Sequence, residues 1–247
     1  MRALIFGATG ELGRVVAGQL AEDGYSLSVH GRLNVQILRE LVSTLPSTTS
    51  YQGDVNNEDG VRSVVRDSAQ DGDLEVLVYC AGVNLLAKPI AETSTADWQE
   101  TLDTNLTGAF FAVREAIPFL RETNGRIVIV SSIFGIESPV NRGSYSVSKH
   151  GLAGLVQSVA REEGQFLTIN GVCPGPMWTE NVRKIFVRHA MEEGISSEEY
   201  AKERLSTIPA GRFGTLQECA NVISFLVSPR ASFINGELVR ITGGSPT

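Results

Sequence analysis

The chain has 247 residues and a formal net charge of −7, with 42% hydrophobic and 20% charged residues. This balance is typical of a globular protein, and the acidic charge argues against nucleic acid as a partner, because coating phosphates requires an excess of Lys and Arg. The cysteines Cys80, Cys173 and Cys219 are far apart in apolar contexts, which predicts neither a disulfide framework nor a metal site and suits a reducing compartment.

No apolar run approaches the roughly 20 residues that a membrane-spanning helix needs, so we expect no membrane partner. A strand-like segment begins almost at the first residue, which leaves no room for a signal peptide. We therefore expect a soluble, cytoplasmic protein.

Short β-branched runs alternate with amphipathic segments along the whole chain. Strands are predicted at residues 3–6, 26–30, 49–54, 76–80, 126–131, 168–173 and 237–241, and the longest helical patterns at 97–123 and 144–163. This alternation predicts parallel strands with helices on both faces, and a glycine-rich turn directly after the first strand favours an open sheet over a closed barrel. The predicted fold is α/β, a single domain over residues 1–247 with a doubly wound parallel sheet of seven strands.

The glycine-rich turn joins the first strand to the first helix and reads Gly7-Ala8-Thr9-Gly10-Glu11-Leu12-Gly13. Such a turn aims free backbone N–H groups and the positive end of a helix at a pyrophosphate. We therefore predict dinucleotide contacts at Gly7, Thr9, Gly10, Glu11, Leu12 and Gly13. The alternative is a tight turn whose glycines only supply positive φ angles.

The end of the second strand carries Arg32 and no acidic residue. A carboxylate there pairs the ribose hydroxyls of NAD, whereas a guanidinium matches the 2′-phosphate of NADP. The sequence therefore favours NADP(H) over NAD(H), although the charge of Glu11 could repel a nearby phosphate.

Tyr145 and Lys149 are four residues apart on a predicted helix, so both point to one side. A phenol ionises near pH 10, and a neighbouring ammonium brings its pKa toward the working range for proton transfer to a carbonyl. Ser132 follows the strand at 126–131, where it can hydrogen-bond a substrate oxygen or simply cap the strand end. The alternative for the Tyr–Lys pair is a solvated helix face.

Residues 177–210 interrupt the alternation and predict one or two amphipathic helices after a Pro-Gly-Pro turn. An insertion at the carboxyl side of the sheet is well placed to cover a ligand, so we predict a substrate lid. The alternative is a packed pair of surface helices.

The motifs in order resemble the short-chain dehydrogenase/reductase superfamily, in its compact single-domain branch with a Rossmann sheet. They are the glycine turn, Asp54-Val55, Ala81-Gly82, Asn105-Leu106-Thr107-Gly108, Ser132, Tyr145-x-x-x-Lys149, Pro174-Gly175-Pro176 with Thr179, and Gly243-Gly244. The segment IPAGRFG at 208–214 is similar to the 3-oxoacyl thioester reductases and other ketoreductases.

The resemblance implies a role for each matching residue. Ser132 would position the carbonyl, Tyr145 would be the acid/base, Lys149 would bind the nicotinamide ribose, and Asn105 would hold a water that links Lys149 to solvent. The cofactor would also contact Asp54 and Val55 at the adenine, Ala81 and Gly82 at the ribose, and Pro174, Gly175 and Thr179 at the carboxamide. A homo-oligomer, tetramer or dimer, would pair the helices at 97–123 and 144–163.

The sequence departs from the family pattern in three places. Phe6 and Glu11 replace the usual threonine and middle glycine of the turn, and Tyr79-Cys80 replaces the usual Asn-Asn before Ala81. The stretches 122–124 (ETN) and 163–165 (EGQ) lack the basic residues that bind an acyl carrier protein, so a carrier-bound substrate is in doubt.

We expect an NADP(H)-dependent oxidoreductase that reduces a small-molecule ketone, 3-oxoacyl or other, to a secondary alcohol without a metal. An NAD-dependent alcohol or 3-hydroxy-acid dehydrogenase is the first alternative. A non-catalytic dinucleotide sensor that regulates partners is the second, and it is disfavoured because such proteins typically lose the tyrosine or the lysine.

Overall fold

The structure, a computed structural model, describes residues 1–70, 74–84 and 87–245. Its strands form one parallel sheet in the order β3-β2-β1-β4-β5-β6-β7, which confirms the predicted doubly wound fold. The strands are β1 (Arg2–Phe6), β2 (Ser26–Gly31), β3 (Thr48–Gln52), β4 (Leu74–Tyr79), β5 (Arg126–Val130), β6 (Thr168–Pro174) and β7 (Leu238–Ile241). The order reverses between β1 and β4, and ligands of open α/β sheets bind at that switch, outside the carboxyl ends of the strands.

Helices cover both faces of the sheet. They are α1 (Glu11–Glu22), α2 (Val35–Thr44), α3 (Glu58–Ser68), α4 (Thr95–Leu102), α5 (Gly108–Glu122), α6 (Gly143–Glu163), α7 (Glu180–Glu193), α8 (Ser197–Ser206) and α9 (Leu216–Val227). Because both faces are covered, the central strands are continuous apolar runs: β1 is completely buried from Ala3 to Phe6. Alternate residues of each strand enter two separate apolar cores, one with α1 and α9 and the other with α3, α5 and α6.

The strand predicted at 49–54 ends earlier, at Gln52, because its partner β2 ends at Gly31, with which Gln52 is in register. The helix predicted at 97–123 is divided. A π-helical turn, Asp103–Thr107, separates α4 from α5. Apolar spacing continues through this turn, so the sequence predicted one helix.

The segment after β6 forms two helices, α7 and α8. Four aromatic rings join them to the following loop: Phe186 lies 5.1 Å from Tyr200, 5.4 Å from Phe213 and 5.9 Å from Trp178 between ring centroids. Edge-to-face pairs of this kind stabilise a small cluster beyond their area burial. This cluster gives the helix pair an apolar centre of its own, above the carboxyl edge of the sheet.

Within the described ranges, no helix combines the length and the apolar character needed to cross a bilayer. The same part of the chain holds no group of three or more His, Cys, Asp and Glu side chains able to bind a metal ion.

Candidate active site

The predicted site residues come together along the carboxyl edge of the sheet. Those in or directly after strands or in strand-to-helix turns are Gly7, Thr9, Gly10, Arg32, Asp54, Val55, Ala81, Gly82, Ser132, Pro174 and Gly175. Those on or at the ends of helices are Glu11, Leu12, Gly13, Asn105, Tyr145, Lys149 and Thr179. Parallel strands make this possible, since all seven carboxyl ends lie on one side.

The glycine turn packs so closely against the loop after β4 and against its own backbone that some of its glycines have no room for a side chain. Gly7 has a φ of +78°, and a Cβ there would lie 2.5 Å from the backbone nitrogen of Ala81. A Cβ on Gly13 would overlap the carbonyl oxygen of Gly7, and one on Gly31 would overlap the side chain of Thr9. These glycines therefore allow close packing, whereas a Cβ on Gly10 would have only the Gly7 carbonyl oxygen within 4 Å, at 3.4 Å.

Gly7, Gly10 and Gly13 form a glycine cradle, a surface without side chains, and the N-terminus of α1 opens toward it. Its N-cap residue Gly10 makes no side-chain cap, so first-turn N–H groups remain available to an anion. The carboxylate of Glu11 turns away to another helix, because its Oε2 accepts the backbone N–H of Glu180 at 2.9 Å. The glycine turn therefore contacts α7 directly, and the sequence did not predict this contact.

The predicted adenosine residues form a charged pair at the ends of β2 and β3. Arg32 Nη1 lies 3.4 Å from Asp54 Oδ2, and both side chains are about 40% exposed. Val55 is buried, and a Cβ on Gly108 would lie 3.0 Å from it. An exposed guanidinium at this position remains available to a phosphate, since Asp54 makes only a long contact with it.

The Ser132 hydroxyl lies close enough to the Tyr145 phenol to lower its pKa. Ser132 continues β5 in extended backbone, and its Oγ also accepts the N–H of Phe134 at 3.2 Å, which caps a short 3₁₀ turn. The Phe134 ring meets Tyr145 edge-on with centroids 6.3 Å apart. The serine therefore both caps the strand end and meets the phenol.

The phenol and the amine are in different electrostatic environments. Burial raises the pKa of Tyr145, whereas the Ser132 hydroxyl and the charge of Arg142 lower it. This differs from the expectation that Lys149 lowers this pKa, because burial has the larger effect and Lys149 is not among the groups that lower it. Burial lowers the pKa of Lys149 to about 8. Lys149 Nζ donates to the carbonyl oxygen of Val130 at 3.0 Å and lies 5.7 Å from the centre of the Tyr145 ring.

Asn105 lies in the π-helical turn and is completely buried. Its Nδ2 donates to Val83 O and Ser148 Oγ, both at 3.0 Å, and its Oδ1 accepts the N–H of Val83 at 2.7 Å. The side chain thus links the loop after β4 to α6 and matches a satisfied buried amide. Whether a water also binds here stays a prediction.

The Tyr79 that departs from the family pattern has a structural role. Its hydroxyl donates to the carbonyl oxygen of Thr104 at 2.7 Å, inside the π-helical turn. A π turn leaves room for a donor from outside the helix, and such turns are frequent at functional sites. Tyr79 therefore ties β4 to the turn that carries Asn105.

The residues predicted to contact the nicotinamide carboxamide lie at the end of β6 and the beginning of the insertion that follows it. Pro174 ends β6, Gly175 donates its N–H to Ile241 O at 3.0 Å, and Thr179 is the N-cap of α7, with Oγ1 accepting the N–H of Val182 at 3.1 Å. The free hydroxyl proton of such a cap can still be donated to a ligand.

Sequence reasoning missed Arg142, which lies three residues before Tyr145 and whose charge acts on the phenol. The sequence signal that could have identified Arg142 is its position as a cation close to the tyrosine in the chain. The small cleft that these two residues line also contains Lys88 and Asp97 from the loop after β4 and the start of α4, and nothing in the sequence places those side chains there.

A family model described as enoyl-(acyl carrier protein) reductase matches residues 7–245. The chain is 32% identical over 252 residues to the 3-oxoacyl-(acyl-carrier-protein) reductase FabG of Staphylococcus aureus, covering 98% of this chain and 96% of that protein. The solved structure of actinorhodin polyketide ketoreductase with NADPH superposes with a TM-score of 0.90 at 26% identity, covering 98% of this chain and 96% of that one. NAD⁺-bound xylitol dehydrogenase also has a TM-score of 0.90 at 26% identity, covering 98% of each chain.

Proposed function

The chain belongs to the short-chain dehydrogenase/reductase family of oxidoreductases, and from that premise we propose that it reduces a ketone to a secondary alcohol with NADP(H), using Tyr145 as the acid/base. The observation that carries this proposal is the placement of the Tyr145 phenol beside the Ser132 hydroxyl and the buried Lys149, whose Nζ lies 5.7 Å from the centre of the Tyr145 ring. These groups lie at the edge of the sheet where the glycine cradle opens.

The proton-transfer step follows from the state of the phenol. Because burial raises its pKa, Tyr145 stays protonated at neutral pH and can give that proton to a carbonyl oxygen as negative charge develops there. Ser132 donates a second hydrogen bond to the same oxygen. When bound, the nicotinamide dinucleotide supplies the hydride for reduction and accepts it in the reverse direction.

Lys149 has two tasks in this proposal. Its amine binds the nicotinamide ribose, and its charge favours the phenolate that remains after proton transfer. Asn105 holds the surrounding loop in place, since it bonds both the Val83 backbone and the hydroxyl of Ser148 on the same helix.

The residues present fit a dinucleotide. Gly7, Gly10 and Gly13 leave a cradle without side chains at the N-terminus of α1, where the free N–H groups of Glu11, Leu12 and Gly13 would bind the pyrophosphate. Asp54, Val55, Ala81 and Gly82 would hold the adenosine, and Pro174, Gly175 and Thr179 the carboxamide. A Cβ on Gly82 would lie 3.5 Å from Lys149 Nζ, so the loop that would hold the adenosine adjoins the amine of Lys149.

NADP(H) is favoured over NAD(H) by Arg32, the exposed guanidinium at the end of β2. Similar proteins use either cofactor, since the ketoreductase was solved with NADPH and the xylitol dehydrogenase with NAD⁺. An NAD-dependent alcohol or 3-hydroxy-acid dehydrogenase is therefore the alternative.

The substrate class is a small ketone. The FabG relative is named for 3-oxoacyl groups on a carrier protein, but here the stretches after α5 and α6 lack the basic residues for that carrier. We propose a free or CoA-linked ketone, covered by the lid of residues 177–210, in a homo-oligomer that pairs α5 and α6.

The test is a spectrophotometric screen of the purified protein with NADPH and NADH. The panel holds small ketones, 3-oxoacyl thioesters of CoA and of a carrier protein, and a trans-2-enoyl thioester. We expect NADPH oxidation with at least one ketone and slower turnover with NADH. Turnover confined to the enoyl thioester, or dinucleotide binding without any turnover as a sensor would show, would contradict the proposal.

A further inference from the structure

A cleft of about 150 Å³ opens beside Tyr145, between the loop after β4 and the start of α6. The cleft is lined by the cations Lys88 and Arg142, the carboxylate Asp97 and the polar Thr93, together with Tyr145 itself. A group bound here is therefore within reach of the phenol. The volume suits a short polar molecule rather than a long acyl chain.

The backbone holds the two cations side by side. Lys88 pairs with Arg142 in an isolated parallel bridge, and the N–H of Lys88 donates to Asn141 O at 3.0 Å. Arg142 Nη1 donates to Asn84 Oδ1 at 3.0 Å. The guanidinium is thus positioned across the cleft by a neutral amide, and its other donors have no hydrogen-bond partner among residues 1–70, 74–84 and 87–245.

The charges in the cleft do not balance. Lys88 Nζ is paired with Asp97 Oδ2 at 2.9 Å, which neutralises both groups. Arg142 has no carboxylate partner within the described ranges, although the whole chain carries a net charge of −7. An uncompensated guanidinium beside a reactive phenol is suited to an oxyanion, whose two oxygens match its fork.

We propose that Arg142 binds a carboxylate of the substrate, so that the ketone is a short oxo acid. This inference rests on the proposed function, because it names the substrate class of that same site. A carboxylate is favoured over a phosphate because Lys88 and Asp97 neutralise each other, and the single remaining charge of Arg142 balances a monoanion rather than a dianion.

The test compares matched acids and esters: acetoacetate and 4-oxopentanoate against their methyl esters, with NADPH. We expect the wild type to favour at least one acid over its ester by ~10- to 100-fold in kcat/KM, the size of a charged hydrogen bond. Arg142→Gln should abolish this preference, because any change that acts through the phenol alters kcat/KM for acid and ester alike, while Arg142→Lys retains part of it. The acid-to-ester ratio separates substrate binding from any effect of Arg142 on the phenol.

Arg66→Gln is the matched control, because Arg66 is exposed near the end of α3, away from the carboxyl edge of the sheet. A binding readout independent of turnover is protection against thermal unfolding by 3-hydroxybutanoate, expected for wild type and Arg66→Gln and reduced in Arg142→Gln. A phosphorylated ketone preferred over every oxo acid, or an unchanged acid-to-ester ratio in Arg142→Gln, overturns the inference. If esters and acids are both inert but Arg142-dependent protection persists, the proposed function fails while the carboxylate site stands.

Discussion

His30 is a titratable side chain sealed under the adenosine end of the site. It is 2% exposed, its ring lies 4.8 Å from that of Phe6, and its Nδ1 has no hydrogen-bond partner in the described part of the chain. Burial lowers its pKa to about 4, and the nearby Asp54 only partly opposes this. The folded protein therefore holds His30 neutral, whereas the unfolded chain protonates it near pH 6.5.

This difference predicts acid sensitivity. Only the unfolded chain binds a proton on His30 between pH 6.5 and 4. The free energy of unfolding should therefore fall by about 3 kcal/mol as pH decreases from 6.5 toward 4, and should show no effect of His30 above pH 6.5. Urea unfolding at several pH values measures it. His30→Leu should flatten the curve in this window and His150→Gln should not. A wild-type curve already flat between pH 6.5 and 4 would refute the prediction.

Arg32 is the residue on which cofactor choice depends. Arg32→Gln should raise KM for NADPH by ~10- to 100-fold and leave KM for NADH within ~3-fold, because only the 2′-phosphate loses a charged partner. The exposed Arg32–Asp54 pair adds little stability, so the melting temperature should hardly change. Equal effects on both cofactors would mean that Arg32 does not read the phosphate.

For the secondary-structure elements, the sequence predicted which segments are strands or helices better than it predicted where each one begins and ends. The strands were found because β-branched runs are buried on both faces, as in β5. The π-helical turn Asp103–Thr107 was not, since it depends on Tyr79 from a distant strand donating to Thr104. Likewise the Lys88–Asp97 ion pair, which leaves Arg142 as the uncompensated charge of its cleft, depends on how the loop after β4 folds back on α4, and residue spacing does not predict that.

The insertion is anchored at its first turn by Glu11, whose carboxylate accepts the N–H of Glu180. A carboxylate at the N-terminus of a helix stabilises that helix, so removal of the Glu11 carboxylate should make α7 unfold locally more often. Glu11→Ala should raise the rate of limited proteolysis within residues 180–206 by ~5-fold, while Glu11→Gln, which keeps an acceptor, should have a smaller effect.

Glu193→Ala at the other end of α7 is the control and should leave the proteolysis rate unchanged, since it removes an exposed carboxylate of the same helix. If Glu11→Ala is cleaved no faster than Glu193→Ala, Glu11 does not anchor the helix.

For the whole molecule, the sequence pattern predicts the arrangement of the sheet but not the contacts made across its carboxyl edge. Parallel order and the single functional edge follow from strand–helix alternation, and that edge gathers the predicted residues from Gly7 to Thr179. Contacts across the edge, such as the Glu11 carboxylate with the backbone N–H of Glu180, require the packed fold.

Two large apolar side chains remain exposed on the helices predicted to pair between subunits: Phe110 on α5 is 42% exposed and Val147 on α6 is 46% exposed. Covering them in a homo-oligomer removes apolar area from water, so light scattering should report a tetramer or dimer. Phe110→Asp should shift the mass toward the monomer. A wild-type monomer at micromolar concentration would contradict this prediction.

The central claim is that the Tyr145 hydroxyl carries the proton, and Tyr145→Phe tests it most directly. The ring that meets Phe134 edge-on is kept, so the variant should fold and bind NADPH with a Kd within ~3-fold of wild type. Turnover of the ketone found in the screen should fall by roughly 10²- to 10⁴-fold. Near-normal turnover in a folded, NADPH-binding Tyr145→Phe variant would contradict the account.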